Sequence, residues 1–296
     1  MDKNTKGLTL GALAAVSYGT NPLFALPLYS TGIGVNSVLF YRYTFAVLIY
    51  GIWLKLVKRT SLRLTKSEVL PLFFLGIFFS LSSLLLFEAF HYIEAGVACT
   101  ILFVYPVMVA ILMALFFKER ITKSVLLSIS LILTGLYFLY SGKSDGSGLN
   151  LHGVLIVLLS ALMYALYIVG VKNIKKVNEM NSEKLTFYVM LFGLLVYIYN
   201  LHFCKNLQIL TTPFQWLLSI GLALFPTIMS IETITISIKL IGSTKASILG
   251  SLEPITALII GLTVFHEHLS CEILVGIFAI LLGVLVIIID KKKVNA

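Results

Sequence analysis

The feature that most constrains this chain is a series of long apolar segments separated by short connections. A helix crosses the hydrocarbon of a bilayer in about 20 apolar residues. Read for such runs, the sequence predicts an all-helical membrane protein with ten transmembrane helices and shows no alternating strand pattern of a membrane barrel. The predicted helices span residues 7–28, 37–57, 69–90, 95–117, 125–141, 151–171, 185–203, 214–238, 246–265 and 273–289.

The composition excludes most classes of soluble protein. Hydrophobic residues make up 59% of the 296 residues, charged residues only 12%, and the mean hydropathy is +1.01. Soluble proteins carry about a quarter charged residues. The sequence therefore argues against a cytosolic enzyme, a disordered protein or a nucleic-acid binder, and its net charge of +9 fits loops beside an anionic membrane leaflet.

Lysines and arginines fall almost entirely on one side of the predicted membrane. Nineteen of the 22 lie in connections on the side of the two termini, and only Lys143 and Lys205 lie on the other side. The remaining one, Arg42, lies inside a predicted helix. Because positive residues mark cytoplasmic loops, we predict that both termini are cytoplasmic in a plasma membrane, which would be the inner membrane of a bacterium.

The two halves of the chain repeat one pattern. Each half contains an apolar helix with a proline in mid-span, a Phe-x-Glu sequence at its end, a polar turn and a glycine-bearing helix. An offset of 148 residues relates Pro106 to Pro254, Phe117 to Phe265, Glu119 to Glu267 and Gly135 to Gly283. We therefore divide the chain into a first repeat (1–142), a linker (143–148) and a second repeat (149–296).

Five spans in each repeat would place the second copy upside down in the membrane. The charges agree, since the turn after Glu119 is basic whereas the turn around Glu267 holds His266 and His268 and no lysine or arginine. Inverted repeats are typical of secondary transporters, which bind a solute where the two halves meet. The alternative is that the repeat only records a gene duplication in a structural membrane protein.

Two segments resemble the signatures of a known family. Residues 105–119, YPVMVAILMALFFKE, and residues 252–267, LEPITALIIGLTVFHE, are similar to the two repeats of the EamA family, within the drug/metabolite transporter superfamily. This resemblance covers nearly the whole chain and implies ten helices around a central cavity. Characterised bacterial members export amino acids and other small metabolites. Lys118 and His266 replace the Gly or Leu that often precedes the glutamate, and no motif fixes the ligand.

Ionisable residues inside a membrane usually face a cavity or a partner, because an exposed charge there costs about 2.5–3.5 kcal/mol. Glu253 lies in the middle of the ninth predicted helix, directly before Pro254, which opens the helix locally. We predict that its carboxylate binds a substrate ammonium or a proton; a packing role is the alternative. The predicted helix breaks are at Pro22, Pro106, Pro226 and Pro254.

Three further charged residues are candidates for gating or ion pairing. Arg42 requires an anion, and we favour an outer ion pair with Glu88, which would close the outer gate in one state. Direct contact with a substrate carboxylate and an interaction with lipid headgroups are the alternatives. Glu232 lies within two helical turns of Lys239, which favours a salt bridge over substrate binding.

Polar and aromatic residues of several helices are predicted to line a central cavity. Ser17 and Asn21 share a helix face at i, i+4, and hydroxyl and aromatic groups suit a small amphipathic solute. Packing against lipid or neighbouring helices is the alternative for any one of them. The predicted lining residues are Ser17, Tyr18, Asn21, Tyr105, Tyr164 and Tyr167.

The resulting hypothesis is a secondary transporter that exports a small metabolite, an amino acid or similar zwitterion, by alternating access. Proton coupling through Glu253 extends it, and facilitated diffusion is the alternative. A multidrug or cation efflux carrier, a channel and a lipid-modifying membrane enzyme remain alternatives. The sequence contains no phosphate-binding loop for ATP and predicts no cofactor, no metal site and no nucleic-acid partner. The predicted partners are the solute, membrane lipids and, with coupling, protons; the oligomeric state is not indicated.

Overall fold

The computed structural model describes residues 3–118, 123–141, 150–241, 249–250, 252–267 and 270–294. Regular structure in these ranges is helical throughout, without strands, which confirms the predicted class. Six helical segments of this part of the chain are long and apolar enough to cross a membrane, and shorter apolar helices accompany them. The count of ten spans and the side of the termini stay predictions.

The first half of the chain contains the helices α1 to α7. A short π-helical turn, Leu54–Lys58, extends α3. The bounds are α1 Lys3–Gly19, α2 Asn21–Ser30, α3 Val35–Trp53, α4 Lys66–Ala89, α5 Ala95–Leu102, α6 Tyr105–Phe117 and α7 Lys123–Ser141.

The second half contains the helices α8 to α14. A π-helical segment, Leu224–Met229, joins α11 to α12. The bounds are α8 Leu151–Asn173, α9 Lys175–Asn178, α10 Ser182–Asn200, α11 Pro213–Ala223, α12 Ser230–Ile241, α13 Leu252–Val264 and α14 Cys271–Val294. The predicted linker, 143–148, lies outside the described residues, as does much of the start of the predicted ninth span.

Prolines stand close to each interruption of the long helices. The first predicted span is two helices, because α1 ends at Gly19 and Pro22 lies in the first turn of α2. A second interruption separates α5 from α6 just before Pro106. Pro226 lies inside the π-helical segment, and Pro254 lies in the first turn of α13. Proline lacks the N–H that an uninterrupted helix requires, but it is well tolerated in a first turn. The helices are therefore interrupted and begin again at these prolines.

Contacts between the two halves come in related pairs. Corresponding spans pack on each other: α3 on α10, α7 on α14, and α5, which begins the span that α6 continues, on α13. Each contact between two helices that do not correspond has a counterpart in which the two repeats are exchanged. The contact of α4 with α8 corresponds to that of α1 with α12, and the contact of α6 with α8 to that of α1 with α13. Likewise, the contact of α4 with α10 corresponds to that of α3 with α11. This pattern is that of a two-fold axis relating the halves.

Glycines allow the backbones of α7 and α14 to touch. A Cβ atom on Gly135 would lie 2.6 Å from the carbonyl oxygen of Gly276, and one on Gly283 would lie 3.0 Å from that of Ser128. Ser128 Oγ also donates a hydrogen bond to the Gly283 carbonyl, at 2.5 Å. Small residues at such contacts are the usual means of close helix packing in membranes.

Large apolar side chains remain exposed on the outer faces of the helices. Leu133 is 62% exposed and Phe278 is 64% exposed, and Leu48, Leu155 and Leu217 behave similarly. An apolar surface of this extent is unusual for a water-soluble monomer. It suits side chains that face lipid.

Candidate functional site

Aromatic side chains from both halves form a cluster where α4, α6 and α8 meet. The ring of Tyr164 is 4.7 Å from that of Tyr105, edge to face, and 5.9 Å from the stacked ring of Tyr167. Phe79 completes the group, with its ring 5.1 Å from that of Tyr167. Three of the predicted cavity residues are therefore brought together, with Phe79 added from α4. We call these four residues the aromatic cluster.

A cavity of about 390 Å³ extends from the aromatic cluster along α8, α10 and α12. This volume is within the range of small-molecule sites. Its far end reaches Ser182, the first residue of α10. The other lining residues are Val171, Leu185, Thr186, Val189, Met190, Ile231 and Ile234.

The cavity runs toward the end of the molecule where several lysines lie, which we call the basic end. There, Lys184 Nζ lies 3.2 Å from Glu68 Oε2, and Lys58 Nζ lies 3.3 Å from Glu183 Oε1. The helix α4 begins at the basic end. Glu88 is the residue before its last one and therefore lies at the opposite end of the molecule.

Glu253 lies beside the aromatic cluster, in the first turn of α13. A carboxylate is favourable at this position of a helix because the N-terminus carries a partial positive charge. The Glu253 carboxylate is within electrostatic range of the hydroxyl groups of Tyr18, Tyr105 and Tyr164. Glu253 as a whole residue is half-buried.

Close packing of α1 against α13 holds Glu253 in place. A Cβ atom on Gly19 would lie 2.6 Å from the carbonyl oxygen of Glu253 and 2.7 Å from Thr256. Only a residue without a side chain fits between these two helices. The glycine therefore brings Tyr18 and Glu253, from different halves, close to each other.

Ser17 and Asn21 use their polar groups on the helix backbones. Ser17 Oγ donates to the carbonyl of Phe225, at 2.5 Å, which ties α1 to the π-helical segment. Asn21 Nδ2 donates to the carbonyl of Tyr18, at 2.9 Å, while its Oδ1 is buried without a partner. In this conformation Ser17 is engaged between helices, and Asn21 retains one acceptor for a ligand.

Arg42 is buried, with 1% of its surface exposed. Its Nε donates to Thr227 Oγ1, at 2.8 Å, and its Nη1 has no hydrogen-bond partner. The guanidinium carbon lies 5.3 Å from the ring of Phe87 and 6.0 Å from that of Tyr43.

This arrangement differs from the predicted ion pair between Arg42 and Glu88. Among the described residues, no carboxylate lies within 4 Å of the guanidinium. Glu88 instead lines a polar cavity of about 400 Å³ at the opposite end, together with Asn36, Asn200 and Gln208. Arg42 turns toward the second half because Thr227, 185 residues away, offers the acceptor. A gating role of the two residues stays a prediction.

Glu232 has partners other than the predicted Lys239, whose side chain lies outside the described residues. Tyr50 donates to Glu232 Oε2, at 2.9 Å. Lys58 Nζ lies 3.9 Å from Glu232 Oε1 and also pairs with Glu183. These contacts join α3, α10 and α12 at the basic end.

Glu267 connects the two halves outside the helical spans. Its Oε1 accepts a hydrogen bond from the backbone N–H of Ala95, at 3.0 Å, and thereby caps α5. Burial raises the pKa of the Glu267 carboxyl, the backbone N–H groups of Ala95 and Gly96 lower it, and the charge of Glu94 raises it, with a net increase. Glu119, its counterpart in the first repeat, lies outside the described residues.

Sequence reasoning missed Thr227, Phe79 and Tyr50. Thr227 follows Pro226 directly, so the predicted helix break was a usable signal for a free polar side chain. No local signal points to Phe79 or Tyr50, because each acts through a helix of the other half.

Apolar helices long enough to cross a bilayer, two halves packed about a pseudo-two-fold axis and a cavity beside their junction define a multi-pass membrane protein of repeat architecture. The chain belongs to the EamA-like transporter family, whose model matches residues 5–141 and again residues 151–289. The match confirms the resemblance seen in both repeats and makes the protein a membrane transporter.

Similar proteins agree with this assignment. The chain is 29% identical over 194 residues to an uncharacterized transporter of Archaeoglobus fulgidus, covering 65% of this chain and 67% of the relative. It is 22% identical over 263 residues to the uncharacterized transporter YetK of Bacillus subtilis, covering 86% and 78%. A solved structure described only as "Crystal structure of protein" has the same fold, with a TM-score of 0.64, 16% identity and coverage of 99% and 100%.

Proposed function

We propose that the protein is a secondary transporter that exports a small metabolite, an amino acid or similar zwitterion, across the plasma membrane by alternating access. The observation that carries this proposal is the position of Glu253 in the first turn of α13. There its backbone packs against Gly19 of the first repeat, and its carboxylate is within electrostatic range of the paired rings of Tyr105 and Tyr164. A carboxylate among hydroxyl and aromatic groups can hold an ammonium, while apolar walls accept a side chain.

The paired contacts between the repeats support the alternating mechanism. If two similar halves exchange conformations about a two-fold axis, a site at their junction opens to one end and then to the other. Five spans in each repeat make the repeats inverted, so that the exchange moves the opening across the membrane. The lysine-rich connections then place the basic end and both termini in the cytoplasm.

The conformation described here corresponds to the state that loads solute for export. The cavity reaches the basic end. The opposite end is tied across the repeats, since Gln208 Nε2 donates to the carbonyl of Gly32, at 2.9 Å, and Gln215 Nε2 donates to Thr31 Oγ1, at 3.1 Å. Solute bound at the aromatic cluster would leave through this closed end once those contacts break.

Counterflow in liposomes tests the proposal. Purified protein reconstituted in liposomes and loaded with unlabelled L-amino acids should take up labelled amino acid faster than empty liposomes, with saturation. A carrier gives this stimulation because its binding site crosses back to the outer face of the liposome faster with solute bound than when it is empty. A flux that is linear in concentration and insensitive to loading would indicate a channel, and no flux of any amino acid would contradict the zwitterion class.

Substitution of Glu253 by glutamine tests the coupling. Glutamine keeps an acceptor oxygen but holds neither a proton nor a charge. Glu253→Gln should abolish accumulation driven by a pH gradient and retain counterflow with a KM raised about tenfold, since a hydrogen bond to a charged group contributes about 1.5–3 kcal/mol.

The matched control is Glu179→Gln, an exposed carboxylate in the connection before α10, which should leave both measurements unchanged. Loss of both accumulation and counterflow in a Glu253→Gln protein of normal thermal stability would show that the carboxylate is needed for the working structure rather than for coupling.

A further inference from the structure

The Arg42 guanidinium is the buried charge for which the fold provides no counter-charge among the described residues. Arginine remains charged in proteins. Burying such a group without an anion is costly. Its hydroxyl contact to Thr227 is neutral, and the rings of Phe87 and Tyr43 contribute cation–π attraction of about 0.5–2 kcal/mol. The described residues therefore leave the guanidinium without a counter-charge.

The unpartnered Nη1 identifies the atom of the guanidinium that is free to bind an anion. A guanidinium binds a carboxylate through two parallel N–H groups. Nε of Arg42 is occupied by Thr227, whereas Nη1 is buried and makes no hydrogen bond. Glu88, the carboxylate that could have paired with it, lies at the polar cavity of the opposite end.

Arg42 lies near the proposed substrate site rather than in a remote part of the core. Ser17 of α1 donates to the carbonyl of Phe225, two residues before the Thr227 that binds Arg42. Gly19 of the same helix packs against the carbonyl of Glu253. Within three residues, α1 therefore contacts the segment that binds a cation of the first repeat and the helix that carries an anion of the second. The two charges have the signs that the two ends of a zwitterion require.

The contact that holds Arg42 also joins the two repeats. Thr227 lies in the π-helical segment Leu224–Met229, and its Oγ1 donates to the carbonyl of Leu222, at 3.0 Å, while it accepts from Arg42. Single π-helical turns are frequent at functional sites. Because this contact covers the guanidinium in the present conformation, we expect a solute that has entered from the basic end to reach Nη1 only as the two repeats begin to rearrange.

We propose that Arg42 binds an anionic group of the transported solute, so that the substrate class is a zwitterion with its carboxylate on Arg42 and its ammonium on Glu253. This proposal rests on the proposed transport function. An inorganic anion such as chloride has the same chemistry toward a guanidinium, and the experiment below separates the two sources.

Thermal unfolding of the purified full-length protein without solute tests the state of Arg42. Removing one partner of a buried ion pair is strongly destabilising, whereas removing a buried charge that has no counter-charge relieves the cost of its desolvation. The unfolding temperature of Arg42→Met should therefore equal or exceed that of the unchanged protein. Arg63→Met, at an exposed arginine of the basic end, is the matched control and should cause no change. A clear decrease for Arg42→Met alone would overturn the proposal, whether or not transport is observed.

Transport of matched solutes tests the ligand. Counterflow of each L-amino acid that the protein transports is compared with that of its carboxamide, in chloride and in gluconate buffer. The amide should have a KM about tenfold higher or more, because it loses the charged hydrogen bonds to the guanidinium. This discrimination should disappear in Arg42→Met and persist in Arg63→Met.

The outcomes separate the two proposals. Equal transport of acid and amide by the unchanged protein overturns the role of Arg42 while leaving the carrier function intact. Equal transport that requires chloride, with the requirement lost in Arg42→Met, also overturns the assignment to the solute and identifies a bound co-ion. Absence of any counterflow contradicts the proposed function, and the unfolding temperature of Arg42→Met then still reports whether the guanidinium is unpaired.

Discussion

At the scale of single residues, Glu267 shows how one side chain can connect the repeats at the membrane boundary. It accepts a hydrogen bond from the first turn of α5 and contacts the position where a side chain on Gly261 would stand, so it is tightly enclosed. Burial and the neighbouring Glu94 act to raise the pKa of its carboxyl above the usual 4.5, against the backbone N–H groups. Its protonation therefore favours the folded state.

The stability of the protein should consequently depend on pH through Glu267. A carboxyl with a raised pKa in the folded state contributes stability that is present below about 4.5 and lost as pH rises through the raised value. Glu267→Gln keeps the acceptor for Ala95 but cannot ionise. Its unfolding temperature should match that of the unchanged protein at low pH and exceed it above that window. Parallel curves for the two proteins would contradict this assignment.

Residue-scale prediction from the sequence succeeds where a local signal exists. The pairing of Glu253 with Pro254 predicted a locally opened helix in mid-span, and the structure begins α13 at Leu252, so that the carboxylate lies in a first turn rather than in the middle of a helix. Partners across the repeats carry no such signal. Arg42 is adjacent to Thr227 and Glu232 to Tyr50 only because distant helices pack together, and local spacing cannot encode that.

At the scale of helices, length and proline positions were readable, whereas helix pairing was not. Most helices are apolar on every side, so no amphipathic stripe shows which face meets a neighbour. The exception is the glycine-bearing helix of each repeat. Gly135 and Gly283, related by the offset of 148 residues, both lie in the contact of α7 with α14, so the repeated glycine marked a real interface.

This interface predicts a sharp difference between two neighbouring positions of α7. Gly135→Ala would place a methyl group 2.6 Å from the backbone oxygen of Gly276, and a clash with backbone cannot relax by rotating a side chain. The loss should be about 1–3 kcal/mol, as for other overpacked cores. Leu133→Ala, at a side chain that is 62% exposed, should change stability by about 0.5 kcal/mol or less.

Thermal unfolding of both variants in one detergent measures the difference. Equal unfolding temperatures for Gly135→Ala and Leu133→Ala would mean that α7 and α14 are not packed backbone to backbone. The same pair of variants should leave the Glu253-dependent pH coupling intact where the protein remains folded, because neither residue lines the cavity.

At the scale of the whole molecule, the repeat pattern predicts the topology. Two repeats of five spans return the chain to the side where it started, and the lysine distribution places that side in the cytoplasm. Single cysteines at Lys6→Cys and in an extension after residue 296, in a background without the three native cysteines, should both react with an impermeant maleimide only in inverted vesicles. Reaction from opposite faces would make the number of spans odd and contradict the five-span repeats.

Single cysteines in the protein that lacks its three native cysteines also test whether the two ends of the molecule open alternately. Thr186 lines the cavity that runs to the basic end. Ser37 lines the polar cavity at the opposite end, but it is only 2% exposed and accepts a hydrogen bond from the Gln208 backbone. In the loading conformation, the single cysteine of Thr186→Cys should therefore react with a small maleimide, and that of Ser37→Cys should be protected from the reagent. A transported amino acid that binds the other state more tightly shifts the population toward that state, so its addition should slow the reaction at 186 and accelerate it at 37. Because inverted repeats exchange conformations, the two changes must have opposite signs. Changes of the same sign at both positions would describe a pore that opens or closes as a whole, which is incompatible with a carrier.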